Sequence, residues 1–422
     1  MARMTSVVTA AELLRHRGFR SLFVAQLLGA FNDNVFKMVV SLVAVNAALG
    51  HAGGYLSLVG AVFMVPYLLF SGYAGGVTDR FAKRSVLIAA KAAEVAIMTL
   101  GLAALVTGHI GFMLAVLFLV AVQATFFSPA RLGILPEMLP ANALPQANGL
   151  LEMSRYGAII LGTALGGVML AAWDGAAHAI GLVLIAVAAA GFVASLGITR
   201  VPPSGADKRF RLNPWGEIAG GVRRLRADRR LVSAVAGLAY FDSLGTLVLL
   251  DMILVGKETM ALDDALTGLL GAFVGIGIAI GSVVAGRLAR GRVALGMVPP
   301  GAIGVGIGVA ALSATAESYD MTAAVLVLTG FSAGFIIVPL NTLLQRATGR
   351  TERGHVIATS NFLNMAVVLA SSGLLWLLHD VLGMTPGAIL LLAGLTTLAV
   401  AAGALRCLPR TRLVAANADH SW

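Results

Sequence analysis

Twelve stretches of this chain, approximately 21–48, 54–77, 86–107, 110–128, 148–172, 177–199, 231–256, 265–286, 294–316, 321–342, 354–379 and 384–406, stay apolar long enough to cross a membrane. A hydrocarbon core roughly 30 Å thick takes about 20 helical residues. In lipid every backbone N–H and C=O has to find its partner within the protein, so unbroken apolar runs of this length are expected to be α-helices. The expected fold is an all-α membrane protein of twelve transmembrane helices. The composition, 58% hydrophobic and 12% charged, excludes an ordinary soluble domain.

Charge divides the connecting segments into two sets. Segments 1–20, 78–85, 129–147, 200–230, 287–293, 343–355 and 406–422 hold 26 of the 30 Lys and Arg. Only Lys257 falls in an opposite loop, while Lys37, Lys91 and Arg155 fall within spans. The positive-inside rule places the basic set, with both termini, in the cytoplasm. The net charge of +10 therefore reports orientation, and no nucleic-acid partner is expected. The first 20 residues lack the apolar core of a cleavable signal, and the first span can itself direct insertion. The single cysteine, Cys407, ends the last span and excludes an intrachain disulfide.

The long basic segment splits the spans six and six, giving an N-terminal bundle over 1–199, a linker over 200–230, a C-terminal bundle over 231–406 and a tail over 407–422. Within the linker Asn213 can cap a helix with Pro214 at its first position and Glu217 near its positive end. Trp215, Ile218, Val222 and Leu225 share one face of it, as in an amphipathic helix lying on the inner leaflet. An internal repeat supports the division. "TDRFAKR" at 78–84 is echoed by "GRLARGR" at 286–292, Asp33 by Asp242, Pro129 by Pro339, and "NGLLEM" from Asn148 by "NFLNM" from Asn361. The offset drifts slowly from 207 to 213, as expected of two homologous halves in the same orientation, which usually hold substrate between them.

Polar groups inside the spans are the candidates for chemistry, because a charge near the bilayer centre costs from ~3 to ~10 kcal/mol unless it faces a partner or a wet cavity. "FNDNVFK" at 31–37 sets Asn32, Asp33, Asn34 and Lys37 in the first span. Lys37 lies one turn beyond Asp33, so the two can form a structural ion pair. Alternatively Asp33 and its amides face a central cavity and meet an ammonium or a polar head. Asp242 sits at the matching depth in the seventh span, and Asp251, facing the other way, reads as a solvated helix end. Glu152 and Arg155 can pair at i, i+3, and the Arg155 fork also suits a phosphate. Gln123, Asn361 and Asn364 suit either a ligand or a helix–helix hydrogen bond.

"GGVTDRFAKR" resembles the loop between the second and third spans of the major facilitator superfamily. The resemblance implies two six-helix bundles working by alternating access, with this loop as a cytoplasmic latch formed by Asp79, Arg80, Lys83 and Arg84. Asp79 would accept from backbone amides at a helix N-terminus of the other half. More narrowly, "FNDNVFK" and the run from "FFSPARLGILPEM" through "NGLLEMSRYGAIILGTALGG" resemble the bacterial lysophospholipid transporter family. That family returns lysophospholipids from the outer to the inner leaflet of the inner membrane. The resemblance implies a lysophospholipid substrate, contact with membrane lipids, a cytoplasmic acylating enzyme as possible partner, and a monomer.

Two departures separate the chain from the superfamily's proton-coupled drug exporters. Its fourth span carries only Gln123 where they carry an arginine, and "GTALGG" has Thr163 where they have proline. The competing transport reading is nevertheless a proton-linked exporter of small hydrophobic compounds, with Asp33 titrating. Gly-x-Gly runs such as "GAFVGIGIAIG" lie wholly inside spans and suit close helix packing. No Walker A sequence, nucleophile elbow or His/Cys ligand spacing occurs, and His51, His109, His178 and His379 fall singly in outer loops. Neither an enzyme nor a cofactor or metal is expected.

Overall fold

The computed structural model describes residues 8–47, 52–172, 177–203, 213–262 and 264–407. His51, linker residues 204–212 and most of the tail lie outside these. The described chain is helical throughout, with no strand, and forms α1 (Ala10–Arg15), α2 (Arg17–Ala47), α3 (Ala52–Arg80), α4 (Lys83–Thr107), α5 (Ile110–Met138), α6 (Leu144–Ala172) and α7 (Ala177–Ser195). After the linker come α8 (Pro214–Ala227), α9 (Arg229–Leu254), α10 (Asp264–Leu288), α11 (Val298–Thr315), α12 (Tyr319–Ala347), α13 (Arg353–Trp376) and α14 (Pro386–Cys407). Twelve helices are long and apolar enough to cross a membrane, α1 and α8 being the two that are not.

In the first group α2 packs on α6 and α7, α4 on α5 and α7, and α3 on α5. In the second α9 packs on α13 and α12, α10 on α12, and α11 on α12 and α14. The groups meet where α6 lies against α10 and α3 against α13. Small residues make the first seam possible: a Cβ at Gly149 of α6 would collide with the Ser282 carbonyl, and one at Gly286 of α10 would sit 2.9 Å from the Pro145 oxygen. The Gly-x-Gly run of α10 has the same use, since Gly277 and Gly281 approach the α12 backbone at Val327 and Phe331.

The ends of helices differ most from expectation. α5 runs ten residues past Ser128 to Met138, straight through Pro129 and Pro136. A proline removes one rung of the helical ladder, but neighbouring helices in a bundle tolerate that loss. Arg131, counted with a loop from sequence, is thereby a helical residue and is 8% exposed.

α8 also differs. Asn213 caps it, its side chain accepting from Trp215 and Gly216 N–H at 3.1 Å each. Part of its apolar face packs on protein, since Ile218 and Leu225 are buried and Gly221 abuts Thr359, while Trp215, edge-on to Phe362 at 6.0 Å, stays 58% exposed. The helix contacts α3 and α13 and so straps the seam between the two groups. Glu217 reaches His355 at 3.2 Å and Arg224 pairs with Glu352, both at the start of α13.

A candidate substrate cavity closed at its basic end

Polar contacts join the two groups of helices at the basic end. Asp79, at the end of α3, accepts from the backbone N–H of Gly354 at 2.7 Å and of His355 at 3.1 Å, the first turn of α13. This turn offers free N–H groups and the positive end of the helix dipole, which suits a carboxylate. A Cβ at position 354 would lie 2.6 Å from Asp79 Oδ1, so the approach requires glycine. Lys83, fully buried, pairs with Glu137 at 2.7 Å, and Glu137 in turn faces Arg353 at 3.8 Å and Arg350 at 3.9 Å. Arg84 instead holds its own group together, donating to the Ile198 and Leu196 carbonyls at 2.8 Å. Arg80 lies 5.7 Å from the Phe81 ring centroid.

Both asparagines of the repeat lie at this seam. Asn148 exchanges hydrogen bonds with Gln345 at 2.9 and 3.0 Å and donates to Thr342. Asn361 donates to the Ser128 hydroxyl at 2.9 Å.

Beyond this closure lies a cavity of about 310 Å³ lined by both groups. Of the residues singled out from sequence, Asp33, Gln123, Glu152, Arg155, Asp242, Asn361 and Asn364 line it. Asn32, Asn34 and Lys37 do not. Asn32 is fully buried, with neither amide atom hydrogen-bonded. Asn34 donates to its own helix at the Ala30 carbonyl, 2.7 Å away. Lys37 makes no ion pair with Asp33; its ammonium stands 4.9 Å from the Phe63 ring centroid, a cation–π contact.

Asp33 has other charged neighbours. Its Oδ1 is buried and accepts no hydrogen bond, and the fields acting on it come from Lys91 and Glu94 of α4. Those two form a buried ion pair at 2.5 Å. Gln123 donates to Glu94 Oε2 at 3.4 Å and to the Ala90 carbonyl at 3.1 Å, and the Lys91 ammonium stands 5.1 Å from the Phe127 centroid. Lys91 and Glu94, together with Tyr67, Arg131 and Asn341, are cavity residues that the sequence reading did not select. The signal for the first two was present, namely two charges at i, i+3 in an apolar span.

Arg155 forms a second polar centre. It pairs with Glu152 at 2.9 Å, donates to the Tyr156 hydroxyl at 3.1 Å, and feels the charge of Asp242 from the other group. Asp242 accepts from Asn364 at 2.9 Å. Arg131 lies roughly 10 Å from the basic end of α5 with its Nε unpartnered, adding a further cation to the floor. The cavity thus presents three cations, Lys91, Arg131 and Arg155, among four carboxylates, Asp33, Glu94, Glu152 and Asp242. Such a lining can hold a ligand bearing both signs of charge.

Asp251 differs from expectation: it is 0% exposed and not a solvated helix end. His379 is likewise no free loop residue, its Nε2 lying 3.3 Å from Glu258 Oε2.

The profile of the Major Facilitator Superfamily matches residues 22–372. The chain belongs to that superfamily. This facilitator is 32% identical over 367 residues to the lysophospholipid transporter LplT of Enterobacter sp. strain 638, covering 85% of this chain and 88% of that one. To the lysophospholipid transporter LplT of Klebsiella pneumoniae it is 31% identical over 394 residues, 92% of this chain and 94% of that one. Among solved structures the fold is similar to the human organic anion transporter MFSD10, with TM-score 0.75, 14% identity and coverage of 91% and 98%. It is also similar to the Escherichia coli fucose:proton symporter FucP, with TM-score 0.68, 16% identity and the same coverage. The facilitator is thus a multi-pass transporter of two six-helix bundles, and its cavity lies where the bundles meet.

Proposed function

We propose that this facilitator moves lysophospholipids from the outer to the inner leaflet of the bacterial inner membrane by alternating access. Its basic loops and both termini face the cytoplasm. The closed basic end then makes the described conformation outward-facing, with Asp79 and the Lys83–Glu137 pair latching the two groups and Arg80 and Arg84 bracing the loop on its own side.

The observation that carries this reading is the lining of one cavity by arginines and by a carboxylate, Asp33, whose buried Oδ1 accepts no hydrogen bond, in a chain related to lysophospholipid transporters over most of its length. Asp33 and Asp242 receive an ethanolamine ammonium, and Arg131 and Arg155 take the phosphate, a planar fork being suited to two oxygens at once. Gln123, Asn361 and Asn364 hydrogen-bond the glycerol and head. Glu152 keeps Arg155 in place. Asn32, Asn34 and Lys37 lie on α2 outside the cavity lining.

Purified protein in proteoliposomes with labelled lysophosphatidylethanolamine tests this. Asp33→Asn removes a charged hydrogen bond worth about 1.5–3 kcal/mol, so headgroup uptake should fall about 10- to 150-fold. Uptake indifferent to Asp33→Asn would remove Asp33 from the site. Absence of lysolipid movement, with gradient-driven dye efflux in its place, would establish the proton-linked exporter.

A further inference from the structure

One side of α8 is buried and the other is bare. Ile218, Gly221 and Leu225 face the protein, whereas Trp215, Ala219, Arg223 and Arg226, at i, i+4, i+8 and i+11 and so on one face, are exposed. No carboxylate shares this stripe. Glu217 is turned to His355, 3.2 Å away, and the Asp228 side chain caps α9 by accepting from the Arg230 N–H at 2.8 Å. Arg224, beside the stripe, is paired with Glu352. The side chains of Arg223 and Arg226 form neither a hydrogen bond nor an ion pair among the described residues.

Contacts with α13 set the level of α8 in the membrane. Trp215 meets Phe362, Gly221 meets Thr359 and Arg224 meets Glu352, so the two helices run in opposite directions. Phe362 lies roughly 14 Å along α13 from its first residue, Arg353. Because α13 is long and apolar enough to cross a membrane, Trp215 is level with a membrane-crossing stretch. From there α8 rises to the basic face, which it reaches with its arginines. An exposed indole suits the boundary between acyl chains and headgroups, where one part of the ring is in apolar surroundings and its N–H is wet. Arg223 and Arg226 follow roughly 12 and 17 Å further along α8, and their long stems let the charged ends reach the level of lipid phosphates.

We propose that the exposed stripe of α8 binds anionic phospholipid of the leaflet at the basic end, with Trp215 at the acyl boundary and the Arg223 and Arg226 guanidiniums on headgroup phosphates. Each planar fork takes two phosphate oxygens, and an anionic headgroup brings an excess negative charge that a zwitterionic one lacks. Such a lipid bears on both groups of helices, because α8 packs against α3 of one and α13 of the other. The stripe lies apart from the cavity lining, so its occupancy depends on neither the cargo nor the direction of transport.

The test uses the full-length protein carrying Trp173→Phe, Trp376→Phe and Trp422→Phe, which leaves Trp215 as its one indole. It is placed in mixed bilayers of phosphatidylcholine and phosphatidylglycerol with brominated acyl chains on one or the other lipid. Bromine quenches an indole only at close range, so the two quenching curves give the relative occupancy beside Trp215. Phosphatidylglycerol should be preferred about 30-fold, about 5-fold in Arg223→Gln or Arg226→Gln, and not at all in the double variant. Raising NaCl from about 50 to about 500 mM should reduce the preference, since exposed charges are screened. Both arginines are exposed, so their replacement leaves the packing of α8 on α13 in place. Quenching by neither lipid would put Trp215 outside the bilayer and overturn the surface. Equal quenching by both lipids in the wild-type arginine background, or a preference that survives in the double variant, would do the same. Inorganic phosphate that abolishes the preference where NaCl of equal ionic strength does not would assign a free-anion site and overturn lipid as the occupant.

Discussion

Asp79→Asn isolates the proposed latch. Each oxygen of the wild-type carboxylate accepts one backbone N–H at the start of α13, at 2.7 and 3.1 Å, and the side chain is 1% exposed. Asparagine keeps one acceptor, turns a donor toward the other N–H, and removes the charge that the positive end of the helix favours. A hydrogen bond to a charged group contributes about 1.5–3 kcal/mol and the helix-terminus interaction about 0.3–1. Losing one bond and the terminal interaction destabilises the closed basic end by about 2–4 kcal/mol, a shift of about 30- to 900-fold in the closed-to-open ratio. Spin labels at Phe81→Cys and Gly349→Cys read the separation of the two groups, with Cys407→Ser to remove the natural thiol. Phe81 is half exposed and a Cβ at Gly349 meets nothing within 4 Å, so neither label disturbs packing. Double electron–electron resonance should show a longer distance becoming dominant in Asp79→Asn. Gly354→Ala, which drives a methyl against Asp79, should do the same, and the two together should add little because they break one contact. A wild-type distance distribution in Asp79→Asn, or full additivity with Gly354→Ala, would refute the reasoning.

Lys91→Met leaves Glu94 and Asp33 as buried neighbouring carboxylates without a cation between them. Breaking such a pair costs about 3–5 kcal/mol, so the detergent-solubilised protein should unfold at a clearly lower temperature, and adding Glu94→Gln should restore most of the loss. A Lys91→Met protein as stable as wild type would contradict the pairing. At α1 the Glu12 carboxyl is held below its ordinary range, first by the Thr9 backbone N–H and then by the Thr9 hydroxyl. Because that value is lowered on folding, its contribution is present above the unfolded value of 4.5 and is lost as the pH falls through the folded one. Hydrogen-exchange protection at Leu13–Arg15, taken relative to the intrinsic amide rate at each pH, should fall in acid, and in Glu12→Gln it should already be reduced at neutral pH.

Twelve crossings and a transporter-like division into two groups are legible from the chain alone, because hydropathy is a sum of per-residue transfer costs along contiguous sequence. A charge inside an apolar run announces itself for the same reason, which is why Asp33, Arg155 and Asp242 can be singled out without coordinates. Where such a charge points cannot be read that way. Asp33 and Lys37 share a helical face and an ideal spacing, yet the helix is rotated so that Asp33 enters the cavity beside Lys91 and Glu94 while Lys37 turns to Phe63. Arg131 is hidden in sequence behind Pro129, a residue that ordinarily ends a helix but that a packed bundle accommodates. The same holds for α8, whose amphipathic face suits a lipid surface and a protein seam equally until α3 and α13 supply the seam. By itself the sequence determines which segments cross the membrane and which side chains are too polar to face lipid. Only the tertiary structure decides which of them meet, because partner choice depends on helix rotation and on distances across space, and neither is encoded in spacing along one helix.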